Sequence, residues 1–218
     1  VFSVQMTVND GSNGENDNLG DILNFPYGGE TTCCGFYQPS FSLVNSYKTD
    51  PSTGLPLLDT WNDFDITNDQ GLTSDQPFTP YTGTLAPRLD WTVGRRGIPF
   101  LDWGIMPGQA WERAQPEAGP YLALKNLFYK AQESSTADIA QGWGLNQGTS
   151  NNYKMIRYAD VLLWAAECEV EVGSLDQAET YVNMVRNRAA DKNGWVKADV
   201  ADGGANYGGY AANYFVMP

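Results

Sequence analysis

The chain has 218 residues, enough for one domain with a substantial apolar core or for part of a larger one. Its 42% hydrophobic and 13% aromatic content is that of a folded protein, while 23 glycines and 12 prolines demand many loops. Twenty-six acidic against 13 basic residues give a net charge of −13, which repels phosphate backbones and anionic lipid headgroups and sets nucleic-acid binding aside.

The sequence contains no histidine, which removes Ser-His-Asp and Cys-His catalysis, histidine acid–base chemistry and histidine metal sites together. No apolar run approaches the roughly 18 residues of a membrane-spanning helix. Val1-Phe2-Ser3-Val4 opens as a strand and not as a signal peptide.

Phe2, Val4, Met6 and Val8 alternate with polar residues, which predicts a half-buried strand over residues 1–8. Residues 9–21 form a polar loop, and residues 26–40 form a second loop carrying Gly, Pro and the aromatics Tyr27, Phe36 and Tyr37. A short helix is expected over 41–48, capped by Ser40 or Ser42, with Leu43, Val44 and Tyr47 on one face. Residues 49–80 are irregular, 89–93 read as a strand, and 94–120 as an extended Gly- and Pro-rich loop. Leu124, Leu127 and Phe128 share a helical face, so 121–133 is expected to be a helix. Residues 134–152 are polar and glycine-rich.

The clearest pattern lies at residues 153–190. Ala159, Leu163, Ala166 and Val170 recur at helical spacing, as do Leu175, Ala178, Val182, Val185 and Ala189. Gly173 is placed to end the first helix in a left-handed conformation, and Ser174 with Gln177 to open the second through a capping box. So short a connection makes the helices antiparallel. The hairpin is expected to be the rigid platform, with Trp164 in the core. Residues 191–218 are a Gly- and aromatic-rich tail, and the chain is read as a single unit 1–218. Loops as long as these are functional or disordered, and their aromatic content argues against disorder.

Cys168 reads as a small buried hydrophobe. Cys33 and Cys34 are adjacent, and because vicinal disulfides are strained, two free thiols are expected. A paired-carboxylate glycosidase is the one hydrolytic chemistry the composition leaves, but no pair stands out, and Asp59, Asp63, Asp65 and Asp69 look like solvated loop carboxylates. No cofactor is expected. Calcium is the alternative, since residues 9–15 offer oxygen donors without the spacing or terminal Glu of an EF-hand. Arg95 and Arg96 are expected to pair with carboxylates.

Several runs carry a family resemblance. They are Ile156-Arg157-Tyr158-Ala159-Asp160-Val161-Leu162-Leu163 with Ala166-Glu167, and Asn183-x-x-Arg186-x-Arg188-Ala189. Pro39-Ser40-x-x-Leu43-Val44-x-x-Tyr47-Lys48, Arg88-Leu89-Asp90-Trp91-Thr92-Val93 and Asn152-Tyr153-Lys154 extend the match along nearly the whole chain. Together they resemble the C-terminal half of the SusD/RagB family, surface glycan-binding lipoproteins of Bacteroidetes-type bacteria.

The resemblance implies a mainly α fold, a tetratricopeptide-type helical hairpin scaffold with long irregular loops and a few short strands, as a fragment of a larger domain. It implies a binding protein and not an enzyme. Such a protein captures oligosaccharide or polysaccharide at the cell surface of the outer membrane, lipid-anchored through an N-terminus absent from this chain. It delivers the ligand to a SusC-like TonB-dependent transporter, closing over the barrel as a lid. The alternatives are a helical-repeat interaction scaffold, or the same fold binding peptides or other nutrients.

A sugar ring has an apolar face that a flat aromatic side chain covers, and a rim of hydroxyls that Asn, Gln, Asp or Arg satisfies. Loop aromatics are therefore the candidate contacts: Tyr27, Phe36 and Tyr37, with Gln38 and Asn45 as polar partners, and Trp103 and Trp111 in later loops. Trp61 and Trp143 are further candidates of the same kind.

Overall fold

Regular structure is sparse outside one helical hairpin. The structure, a computed structural model, describes residues 2–31, 33–125, 127–138, 148–198 and 209–217. Strand β1 (Phe2–Val4) is followed by a 3-10 turn at Leu19–Asn24 and helix α1 (Phe41–Asn45). A 3-10 turn at Leu89–Trp91 then leads through β2 (Val93–Gly94) to α2 (Gln115–Ala118) and β3 (Leu122–Ala123). After another 3-10 turn at Lys130–Gln132 come β4 (Ala137–Asp138), β5 (Gly148–Thr149) and β6 (Tyr153–Ile156). Helices α3 (Tyr158–Val172) and α4 (Leu175–Ala190) follow, with a last 3-10 turn at Lys192–Gly194. The described strands form three antiparallel ribbons, β1–β6, β2–β3 and β4–β5.

Local chemistry accounts for the helix ends. Ser40 Oγ accepts from the Leu43 amide at 3.1 Å and starts α1. At α3, Asp160 accepts from the Arg157 amide at 2.9 Å and from its guanidinium at 2.7 Å. Ser174 caps α4 by accepting from the Gln177 amide at 3.4 Å. The reciprocal half of the expected capping box is absent, because Glu169 of α3 takes the Ser174 amide at 2.9 Å. Gly173 sits at φ −127°, ψ −126°, not in the left-handed region expected of it.

The structure departs from the sequence expectations where tertiary pairing outweighs local pattern. Residues 89–93 make a 3-10 turn, the Thr92 amide donating to Leu89 O at 2.8 Å, and only Val93 enters a strand. The helix expected over 121–133 does not form. Leu122–Ala123 pairs with β2, and the Leu124 amide donates to Thr92 O at 3.1 Å, which draws the segment out into an extended path. Leu124, Leu127 and Phe128 are buried all the same. The first strand spans three residues where eight were expected, and Phe2 and Val4 are exposed.

Two apolar clusters form the core. One gathers Val44, Ile66, Leu85, Leu89, Tyr121, Trp195 and Tyr214. The other gathers Phe25, Phe100, Trp103, Met106, Leu122, Leu127 and Phe128. Both are built almost entirely from loop segments, and the buried residue the hairpin adds is Ala189. Along α3 and α4 the buried positions are Leu162, Ala166, Ala178 and Ala189. Leu163, Val170 and Leu175 are exposed, Trp164 is 53% exposed, and Cys168 is exposed as well. The expectation of a core Trp164 and a buried Cys168 is thus corrected: helical periodicity fixes which side chains share a face, not whether a second surface covers it.

A buried ion network ties the loop core together. Asp90, fully enclosed, accepts from Arg95 Nε at 2.6 Å and Nη2 at 3.0 Å, and from the Tyr214 hydroxyl at 2.6 Å. Removing one partner leaves the other charge buried without compensation. Asp90→Ala is expected to lower unfolding stability by about 3–5 kcal/mol, and Tyr214→Phe by roughly 1–2 kcal/mol. Urea melts of the two variants test this ordering, and equal losses would contradict it.

Candidate functional site

The loop of residues 26–38 is knit to the segment around Trp111 by backbone hydrogen bonds. The Tyr27 and Gly28 amides donate to Trp111 O at 2.9 and 3.2 Å, and the Gly35 amide donates to Phe25 O at 2.9 Å. Phe25 is buried in the second cluster and anchors the start of the loop. Two glycines allow the close approach. Gly29 (φ +87°) lies over the Trp111 indole, where a Cβ would stand 2.7 Å from Nε1. Gly35 (φ +66°) lies over Arg113, where a Cβ would stand 2.7 Å from the arginine Cβ.

This framework brings an arginine between two aromatic rings. The Arg113 guanidinium lies 4.4 Å from the Phe36 ring centroid and 5.3 Å from that of Tyr27, and its Nη1 donates to Cys34 O at 2.7 Å. Tyr27 is 53% exposed, Phe36 44% and Tyr37 72%. Tyr37 holds a left-handed backbone (φ 55°), a costly conformation for an aromatic residue. Cys33 and Cys34, expected to be free thiols, form a vicinal disulfide across a cis peptide bond at the base of this cluster.

Of the six candidate contacts, the structure exposes Tyr27, Phe36 and Tyr37, and brings the first two to Arg113. Gln38 stands beside them but holds the loop: its Nε2 donates to Gly119 O at 3.1 Å and Tyr121 O at 2.9 Å. Trp103 is 8% exposed, donates from Nε1 to Phe128 O at 2.9 Å and packs edge-on against Phe128, so it belongs to the core. Trp111 is half-buried, edge-on to Phe100 at 5.6 Å, and supports the loop from below. Trp61 is half-buried, and Trp143 lies outside the described residues. Asn45 is fully buried, bonding Asn62, Asp65 and the Ile66 amide.

Arg113 was not among the sequence candidates. Its bond to Cys34 bridges 79 positions, and no local periodicity marks an arginine in a Gly- and Pro-rich loop as a ring partner.

A second aromatic surface adjoins the loop. Trp91, Leu101, Asp102, Tyr129, Trp195 and Lys197 line a cleft of about 360 Å³. Asp102 accepts from the Lys130 and Ala131 amides at 2.6 and 2.9 Å. Lys130 in turn pairs with Glu30 of the 26–38 loop at 2.7 Å, linking loop and cleft.

Behind the loop lies a buried charge group. Arg95 and Arg96 meet carboxylates, as the sequence suggested, but Asp69 is buried and not a solvated loop carboxylate. Arg96 Nη1 stands 3.9 Å from Asp69 Oδ2, while its Nη2 donates to Ser74 O and Gln76 O. Glu112 is buried beside Asp69, and among the described residues no well-formed hydrogen bond reaches its carboxyl oxygens. Gln115, close to both, donates to Asp69 Oδ2 at 3.4 Å. Desolvation, then the Asp69 charge, raises the Glu112 pKa to about 8. Burial raises Asp69 as well, against the pull of Arg96.

Among the described residues, no group of three or more His, Cys, Asp or Glu is placed to hold a metal ion. Asp10, in the loop weighed for calcium, caps its own turn, accepting from Ser12 N at 2.9 Å and Asn16 Nδ2 at 2.7 Å.

Exposed rings beside an oriented guanidinium thus stand on a loop fixed to a packed core. The chain belongs to the SusD family, whose profile matches residues 1–207. No curated protein matches the chain. Family membership brings glycan or nutrient binding in polysaccharide utilisation, by binding proteins and not enzymes. Members are in general outer-membrane surface lipoproteins that partner SusC-like transporters. The α3–α4 hairpin with few short strands is compatible with that fold.

The buried Glu112 has a measurable consequence. Its folded pKa of about 8 stands above the ordinary 4.5, so the folded state holds a proton that the unfolded state releases. Stability is therefore complete below pH 4.5 and falls as pH rises through about 8. Glu112→Gln is expected to flatten that decline in urea midpoints measured from pH 5 to pH 8, leaving the part due to Asp69. An unchanged slope would show that Glu112 is ionised throughout.

Proposed function

We propose that this chain is part of a cell-surface glycan-binding protein, lipid-anchored to the outer membrane, that captures oligosaccharide and passes it to a SusC-like TonB-dependent transporter. In this reading the protein closes over the transporter barrel and the ligand is held between them. It binds and releases without turnover. The observation that carries the reading is the exposed pair Tyr27 and Phe36 beside Arg113, with the exposed Tyr37 next in the chain. Apolar ring faces meet the C–H face of a sugar while the guanidinium reaches its oxygens, an arrangement suited to shallow, wet binding sites. Trp111 and Gln38 act by holding this surface in place, and Trp103 by filling the core beneath it.

The tetratricopeptide-type reading of α3 and α4 belongs to the same proposal. A helical repeat cannot bury its apolar face alone, and the exposed Leu163, Trp164, Val170 and Leu175 fit a face that packs on a neighbouring repeat. The same bare face favours a second reading, a helical interaction scaffold without sugar binding.

Binding of a polysaccharide panel by affinity electrophoresis and calorimetry separates the two. Phe36→Ala and Tyr37→Ala are each expected to weaken glycan binding about tenfold, with thermal midpoints near that of the unaltered chain. Wild-type glycan affinity in both variants would sink the platform, and glycan-independent binding of a protein partner would favour the scaffold.

A further inference from the structure

We infer that the ligand of the Tyr27–Phe36–Tyr37 surface is an acidic oligosaccharide, one whose sugar carries a carboxylate recognised by Arg113. The inference rests on the reading of that surface as the glycan site and adds the class of glycan.

Arg113 is held in place before any ligand arrives. Its backbone runs against Gly35, its Nη1 is fixed on Cys34 O at 2.7 Å, and its plane is flanked by Phe36 and Tyr27. A guanidinium offers five N–H donors, and among the described residues Nη1 supplies its one bond to protein. Among the described residues no ion pair engages Arg113, although the chain carries 26 carboxylates against 13 basic residues.

The neighbouring charges leave its field uncancelled. Glu30 is the sole charged residue of the 26–38 loop, and Lys130 neutralises it at 2.7 Å. Glu112, next in sequence, is buried behind the surface, and its desolvated carboxyl keeps its proton at neutral pH. Arg113, Lys130, Glu30 and the protonated Glu112 thus sum to one positive charge on a protein of net charge −13. Without Arg113 a neutral sugar would still find three rings; the oriented cation adds a partner for an anion. A planar guanidinium edge matches a planar carboxylate through two parallel hydrogen bonds, which favours a uronic acid over a tetrahedral sulfate ester.

The test is calorimetric titration of the full chain with matched oligosaccharides. The acidic set is oligogalacturonate, alginate and glucuronate-containing oligomers; the neutral set is galactose-, mannose- and glucose-based oligomers of equal length; a third set is sulfated. At least one carboxylated oligomer is expected to bind about tenfold tighter than its neutral counterpart. That advantage should shrink from low salt to about 0.2 M salt. Arg113→Gln should erase it while leaving residual ring-dependent binding, and Arg113→Lys should restore part of it, with circular dichroism confirming that both variants fold. Binding of neutral oligomers alone, or a preference for sulfated ones, overturns the inference and leaves the glycan site standing. Failure of every oligomer to bind overturns both.

Discussion

The Asp90 carboxylate is the point on which the fold turns. It accepts two bonds from Arg95 and one from Tyr214, joining the Leu89–Trp91 turn, the chain that follows it and the C-terminal segment in one buried contact. Apolar burial brings such segments together without fixing how they meet. A buried ion pair does fix it, because any other arrangement leaves a charge in a dry interior. Leu85 and Tyr214 then bridge, and Leu85 also bridges Lys48, which places α1 and the loop leading into it.

A chain with this little helix and sheet must satisfy its backbone groups by other means. Side chains do much of that work. Gln38 serves two carbonyls, Arg96 two more, Asp102 two amides, and Asn45 takes the Ile66 amide. These bonds give long loops the definition that a regular ladder gives a strand. The surface formed by Tyr27, Phe36 and Tyr37 inherits that definition: Phe25 anchors the loop, Trp111 supports it, and Gln38 pins its end. The left-handed backbone of Tyr37 is held against its intrinsic cost by these neighbours.

Much of the local structure was legible in the sequence. The helical hairpin stands where periodicity put it, Ser40 and Ser174 cap the helices expected of them, and the family signature is borne out by the profile match. The spacing of Leu124, Leu127 and Phe128 marks them as apolar partners but suggests a helix, since spacing alone cannot tell a helical face from an extended path shaped by pairing with β2. At the site, Tyr27, Phe36 and Tyr37 are exposed as their loop position suggests, whereas Trp103 is buried. An indole in a Gly- and Pro-rich loop looks the same in sequence whether it faces solvent or fills the space beside Phe128.

The sequence by itself determined the family, the two helices and their shared face, the acidic surface, and the absence of histidine chemistry. All of these are properties of residue type and short-range spacing. Only the tertiary structure decided which apolar faces are covered, that Cys33 and Cys34 are joined, that Asp69 and Glu112 are buried, and that Arg113 stands between Phe36 and Tyr27. Apart from the bond between the adjacent Cys33 and Cys34, these depend on contacts between segments tens of residues apart. Loop closure places such segments through the whole core, and no local pattern records where they meet.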